Sequence, residues 1–202
     1  MQEEFWEQRY AEPGHAYGTR PNVYLTSHRE LFQPDQRVLV IGDGEGRNGV
    51  WLAEQGLKVT AVDYSATGLR KAEALAQERN VTITTHCVNL TEWHWPQDEF
   101  DYVVIIYVHF PPDVRASMHQ AALRALKPGG QIILEAFTFE QLNHESGGPP
   151  VRDMLYDASL LAQDFHEGEF LELTECSAVL DEGKYHVGEA AIVRARIRRV
   201  PA

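Results

Sequence analysis

The chain has 202 residues, the size of one globular domain, and 44% of them are hydrophobic, enough to close a substantial core. Its 30 acidic and 18 basic residues give a formal net charge of −12, which repels phosphate backbones and argues against a nucleic-acid partner. Cys87 and Cys176 fit no metal or redox spacing, the acidic start is not a signal peptide, and the longest apolar run, 102–108, is too short for a bilayer, so a cytoplasmic protein with no metal and no membrane partner is expected.

Residues 1–36 read as a helical cap on a single domain whose core spans 37–202. Phe5, Trp6 and Tyr10 share a short helix face, a turn at Tyr17-Gly18-Thr19-Arg20-Pro21-Asn22 follows, and a second helix lies near 22–32. The β-branched run 37–41 is a buried strand, 42–46 a glycine-rich turn, and Val50, Ala53 and Leu57 stand at helical spacing before Gly56. A second strand, 58–62, ends in Asp63, and Ser65 caps a helix with Leu69, Ala72 and Ala76 inward. Strands at 81–85 and 100–106 follow, the latter unbroken and apolar like a central parallel strand. Pro111-Pro112-Asp113 opens a helix presenting Val114, Met118, Ala121 and Ala125, and Pro128-Gly129-Gly130 precedes a fifth strand at 131–137. After a loop at 138–151 and a helix near 156–165, runs at 169–180 and 185–199 form a hairpin about Asp181-Glu182-Gly183-Lys184. This alternation predicts an α/β fold: a Rossmann-like, seven-stranded, mostly parallel sheet with helices on both faces and a C-terminal antiparallel hairpin.

The strongest chemical signal is strand, glycine turn, helix: Val38-Leu39-Val40-Ile41-Gly42-Asp43-Gly44-Glu45-Gly46-Arg47-Asn48-Gly49. Glycines let a ligand approach the backbone, and the free amides of a helix start face it. Asp63, closing the next strand, is placed to accept hydrogen bonds from ribose hydroxyls. Gly44, Gly46 and Gly49 also satisfy GxGxxG, which keeps an NAD(P)-dependent oxidoreductase as an alternative; a tight turn without a ligand is the plain structural one. Four stretches, 42–48, Ala61-Val62-Asp63-Tyr64-Ser65, Phe100-Asp101-Tyr102-Val103-Val104 and Leu126-Lys127-Pro128-Gly129-Gly130, resemble in order and separation the class I S-adenosylmethionine-dependent methyltransferases. The likeness covers roughly 35–200. Gly-Glu-Gly-Arg-Asn, with Tyr-Gly-Thr-x-Pro-Asn ahead of it, further resembles the tellurite-resistance and thiol methyltransferase branch.

The resemblance implies S-adenosyl-L-methionine as cofactor and a small-molecule methyl acceptor, a thiol or chalcogen oxyanion. It places Gly42, Gly44, Gly46 and Asn48 along the cofactor, Asp63 on its ribose, and Tyr64, Asn89 and Leu90 around its adenine. Ile106 and Tyr107 then border the sulfonium. Apart from the resemblance, Tyr17, Arg20 and Asn22 read either as closing over the cofactor, with Trp6 and Tyr10 as a hydrophobic lid, or as a segment whose aromatics simply pack the amino-terminal helix onto the sheet, the reading favoured for Trp6. Relatives often carry an acidic residue where this chain has Val40, which leaves Asp43 or the cap to hold the methionine end.

Methyl transfer from a sulfonium is an in-line displacement that needs alignment first, and a base only for an acceptor carrying a high-pKa proton. His109, just beyond the fourth strand, reads either as that base or substrate contact, or as a histidine packed at a helix start. Glu135 either faces the site or, the favoured reading, pairs with a basic residue; Arg152 is expected to meet an anionic substrate or a surface carboxylate, and the last strand's arginines to face solvent. A non-catalytic cofactor-binding module is the third alternative.

Overall fold

A computed structural model describes residues 2–201. It contains six α-helices and seven strands among the described residues, and the strands make one mostly parallel sheet closed by an antiparallel hairpin, as the pattern predicts. The chain divides into two compact units, one running to Trp93 and including Glu182–Tyr185, the other formed by His94–Asp181 and the residues from His186 onward.

The first unit holds three parallel strands in the order β3-β2-β1. In β1 (Arg37–Ile41) every residue after Arg37 is buried, which its β-branched and aliphatic side chains favour. The chain turns through the glycines into α3 (Arg47–Glu54) and returns as β2 (Lys58–Asp63), with Arg37 opposite Lys58 and Ile41 opposite Val62. Gly56, at φ 90°, ends the helical path, and its amide bonds the carbonyl of Ala53. Ser65 caps α4 (Ala66–Glu78), its hydroxyl accepting from the Gly68 amide at 3.0 Å. The buried face of α4 is Leu69, Ala72, Leu75 and Ala76, of which the last two pack with Val50 against Val81 and Ile83.

That packing corrects the third strand. It is β3 (Thr84–Cys87), three residues later than the run 81–85, because the Val81 amide still bonds the carbonyl of Ala76 at the end of α4. Helices α1 (Gln2–Ala11) and α2 (Val23–Ser27) belong to the first unit, and only a short 3-10 turn, Arg29–Leu31, continues α2.

The second unit holds β4-β5-β7-β6. Strand β4 (Phe100–Ile106) pairs in parallel with β5 (Leu126–Phe137) across helix α5 (Pro112–Ala125). The ladder starts at Leu126, five residues earlier than expected, because a register shift between Phe100 and Tyr102 absorbs Lys127-Pro128-Gly129-Gly130. Helix α6 (Ala158–Asp164) is capped by Asp157, and β6 (Gly168–Asp181) and β7 (Val187–Arg199) form the hairpin, with β7 antiparallel to β5. Among the described residues no helix is long and apolar enough to cross a membrane.

Candidate active site

The glycine turn of the first unit is a left-handed backbone run: Gly42, Gly44 and Gly46 have φ of 62°, 56° and 87°. Only glycine fits at Gly46, where a β-carbon would lie 2.6 Å from that of Ala72 on α4. Asp63, at the carboxyl end of β2, folds toward this turn. Its two oxygens accept from the Gly44 amide at 2.8 Å and the Ser65 amide at 2.9 Å, and it is 7% exposed. Burial raises its pKa to about 6 against the lowering effect of those amides.

Beyond the ends of β2 and β3, Tyr64 and Asn89 meet. The Tyr64 hydroxyl donates to Asn89 Oδ1 at 3.0 Å, and Leu90 is buried. The same Asn89 oxygen also accepts from the Thr91 amide and hydroxyl, at 3.0 and 2.7 Å, so it is engaged within the protein rather than held out for an adenine amino group.

Two other expectations change. The side chain of Asn48 turns away from the glycines and accepts from the Asn22 amide at 2.9 Å, so it secures the amino-terminal segment instead of lining a ligand. Asp43 does not replace the missing acid at Val40. Its Oδ1 accepts from the Gly49 amide at 3.0 Å, capping α3, whose N-cap residue, Gly46, has no side chain to do so. Its Oδ2 also points at Gly49, where a β-carbon would lie 2.2 Å away, and burial raises its pKa to about 7.

Tyr17 receives a hydrogen bond from Arg9 Nη1 at 3.1 Å and leans on Trp6 and Tyr185. Tyr10 is more deeply involved than its place on a short helix suggests. It is 6% exposed, and its side chain lies where those at Gly44 and Gly68 would otherwise be, the ring 2.9 Å from each missing β-carbon and the hydroxyl closer still to that of Gly44. Burial and the charge of Asp63 push its pKa well up, so it remains a neutral phenol. The signal available in sequence was the pair of glycines with no turn role of its own at Gly68.

In the second unit, Ile106 closes β4 and is buried. Tyr107 follows at φ 55°, a left-handed conformation that a non-glycine residue holds only at a cost of about 1–3 kcal/mol, and such sites cluster where ligands bind. Its ring stacks on Phe137 at 4.5 Å and meets the edge of His186 at 4.8 Å. Sequence reading missed His186, which lies in the run 185–199 read as strand but stands one residue before β7.

His109 is corrected. Nδ1 lies 2.7 Å from the Met154 carbonyl and must donate to it, so Nε2 carries the lone pair and accepts from the Phe137 amide at 3.2 Å. Burial lowers its pKa to about 4 despite the Met154 bond. With both nitrogens engaged it joins the start of α5 to two distant segments, and the base role is not carried forward. Glu135 pairs with Arg194 at 2.7 Å as expected, and Arg152 stacks over Phe139 at 4.2 Å.

The polar groups of the turn fit an uncharged adenosine and a cationic sulfonium better than a pyrophosphate. Its acceptors are carboxylates, while the flanking cations are taken within the protein: Arg47 by Glu182 at 3.0 Å and Lys71 by Glu45 at 2.8 Å. Among the described residues no cluster could hold a metal ion.

Residues 38–130 match the family model described as a methyltransferase domain. Over 172 residues the chain is 30% identical to a thiopurine S-methyltransferase of Aliivibrio fischeri (strain MJ11), covering 74% of this chain and 78% of that one. Among solved structures, one from work on the conversion of a disulfide bond into a thioacetal group during echinomycin biosynthesis superposes with a TM-score of 0.81 at 18% identity, over 99% of this chain and 92% of that one. TehB from Haemophilus influenzae superposes with a TM-score of 0.72 at 17% identity, covering 98% and 67% respectively. At those identities the two structures speak for the fold.

Proposed function

Because this chain belongs to the class I S-adenosylmethionine-dependent methyltransferases, enzymes that draw on S-adenosyl-L-methionine, we propose that it methylates a small thiol that reaches the site as its thiolate. The observation that carries the choice of acceptor is His109. The histidine best placed in sequence to take a proton is neutral, buried and bonded through both ring nitrogens. A thiolate needs no base in the transfer step, whereas a phenol or alcohol does. The relative from Aliivibrio fischeri, named a thiopurine S-methyltransferase, points the same way.

In this reading the cofactor supplies an activated methyl group on a sulfonium, and the protein supplies alignment. Asp63 accepts from the ribose hydroxyls with the lone pairs its two amide partners leave. The backbone from Gly42 to Gly46 lines the methionine and ribose portions, and Tyr64 and Leu90 flank the adenine. Tyr107 is fixed within the second unit by its stack on Phe137. Orientation of this kind accounts for about 7–11 kcal/mol of a displacement barrier. Tyr17 closes the site from the amino-terminal side. The enzyme acts in the cytoplasm, with neither nucleic acid nor membrane as partner.

The test is an acceptor screen with radiolabelled S-adenosylmethionine across aryl and alkyl thiols, phenols, and selenite and tellurite. Transfer to thiols, with a rate that rises as the acceptor thiol ionises, is the expected result. Transfer to phenols alone, or to the oxyanions alone, refutes the thiolate reading. Cofactor binding without transfer to any acceptor makes the chain a binding module.

A further inference from the structure

The turn between β6 and β7 was read in sequence as a connector, yet Glu182–Tyr185 belongs to the first unit, with the glycine turn and the amino-terminal segment. Glu182 is 8% exposed, and its two oxygens are divided between two partners. Oε1 accepts from Asn22 Nδ2 at 3.1 Å, and Oε2 lies 3.0 Å from Nη1 of Arg47, the first residue of α3. Asn22, 1% exposed, donates its amide to Asn48, the second residue of α3, and caps α2 through its own side-chain oxygen, which the Leu25 amide reaches at 3.0 Å. The contact is close along the backbone as well. A β-carbon on Gly183 would lie 2.4 Å from the Gly18 nitrogen, and the Lys184 amide bonds the Ala16 carbonyl at 3.0 Å. On its other side this segment is tied to the glycine turn, the Ala16 amide donating to Glu45 at 2.6 Å.

We propose that Glu182 and Arg47 are positioning residues for the cofactor: the hairpin turn clasps residues 15–22 onto the start of α3 and so fixes the glycine turn that receives S-adenosylmethionine. The inference rests on the placement of the cofactor at that turn. Neither side chain touches the cofactor in this account. They act through Asn22 and Asn48, which explains why Arg47 and Asn48 directly follow the last glycine and why a buried carboxylate sits in a hairpin turn. A buried pair stripped of one partner leaves an uncompensated charge, so the single variants disturb the site more than a neutral pair does.

Steady-state kinetics on Glu182→Gln, Arg47→Gln and the double variant test this. Each single variant is expected to raise KM for S-adenosylmethionine by about tenfold with kcat within about twofold, and the double variant to recover part of the KM. A merely structural role lowers the melting temperature without moving KM, so KM unchanged in folded variants, or a fall confined to kcat, overturns the proposal. Should the variants not fold, hydrogen exchange on the wild-type chain decides. S-adenosylhomocysteine is expected to slow exchange at residues 15–22 and 182–185 together, and exchange unaltered there while residues 42–48 become protected overturns the clasp. If residues 42–48 are not protected either, the cofactor placement itself falls.

Discussion

Replacing Asp63 separates cofactor binding from folding, because the two effects have different sizes. In Asp63→Ala the Gly44 and Ser65 amides, bonded at 2.8 and 2.9 Å, lose their acceptor. Each buried donor left unmade costs about 1–3 kcal/mol. Against this, the carboxylate is itself unfavourable where it sits. Its pKa is raised from 3.8 to about 6, which at pH 8 corresponds to roughly 3 kcal/mol of desolvation relieved by its removal. Two unmade donors less that relief leave a net cost of at most about 3 kcal/mol, so the melting temperature should fall by no more than about 12 °C in a domain of this size. Cofactor affinity has no such offset. Two ribose hydroxyls lose a charged acceptor, and affinity should drop by about 10- to 100-fold. Asp63→Asn retains one acceptor but sets an NH2 group against the other amide, so it should bind hardly better than the alanine variant. Titration calorimetry with S-adenosylhomocysteine beside a thermal melt measures both quantities. A folded Asp63→Ala protein that binds with wild-type affinity removes this carboxylate from the site and with it the proposed placement of the adenosine.

The buried acids and histidines oppose one another across pH. Asp43, raised to about 7, binds a proton more readily in the folded chain, so its contribution to stability should begin to rise as pH falls through about 7 and go on rising toward pH 4. His109, lowered to about 4, is charged first in the unfolded chain, so stability should be lost as pH falls from 6.5 toward 4. The gain from pH 8 to 6.5, where Asp43 acts unopposed, should therefore be the clearest feature of the melts, with Asp43→Asn flattening it and His109→Asn steepening the gain on further acidification; a curve level from pH 8 to 6.5 refutes the assignment for Asp43. Cofactor affinity should run opposite to this gain, weakening below about pH 6 as Asp63 protonates, which calorimetry at pH 7.5 and 5.5 measures. His109→Ala should cost about 1–3 kcal/mol of stability through its Met154 and Phe137 bonds, yet lower kcat by less than tenfold, where loss of a general base costs about 100-fold or more. Gly49→Ala, whose β-carbon would lie 2.2 Å from Asp43 Oδ2, should destabilise by about 1–3 kcal/mol, and its cost should add less than fully to that of Asp43→Ala in denaturant titrations.

What could be read from the sequence was what neighbouring residues decide. Strand β1 and the unbroken β4 follow from runs of β-branched side chains, and the glycine turn with Asp63 follows from chemistry confined to one strand, one turn and the next strand. Strand β3 slipped by three residues because Val81 and Ile83 look like strand residues but are claimed by the α4 packing, a tertiary preference that no local pattern records. The direction of a side chain set between two glycines is equally silent. Asp43 faces α3 rather than the ligand because Gly49, six positions on, leaves it room. Distance in the chain explains the rest. His109 is held by Met154 and Phe137, 45 and 28 residues away, and Asn22 by Glu182, 160 residues away. Those long-range bonds determine which polar groups stay available. Once His109 and Asn48 are engaged internally, the groups still proposed to hydrogen-bond a ligand are the backbone of the glycine turn and the carboxylate of Asp63. These can orient a cofactor but supply no proton transfer, and this is why an acceptor already ionised in water suits the site better than one the protein would have to activate.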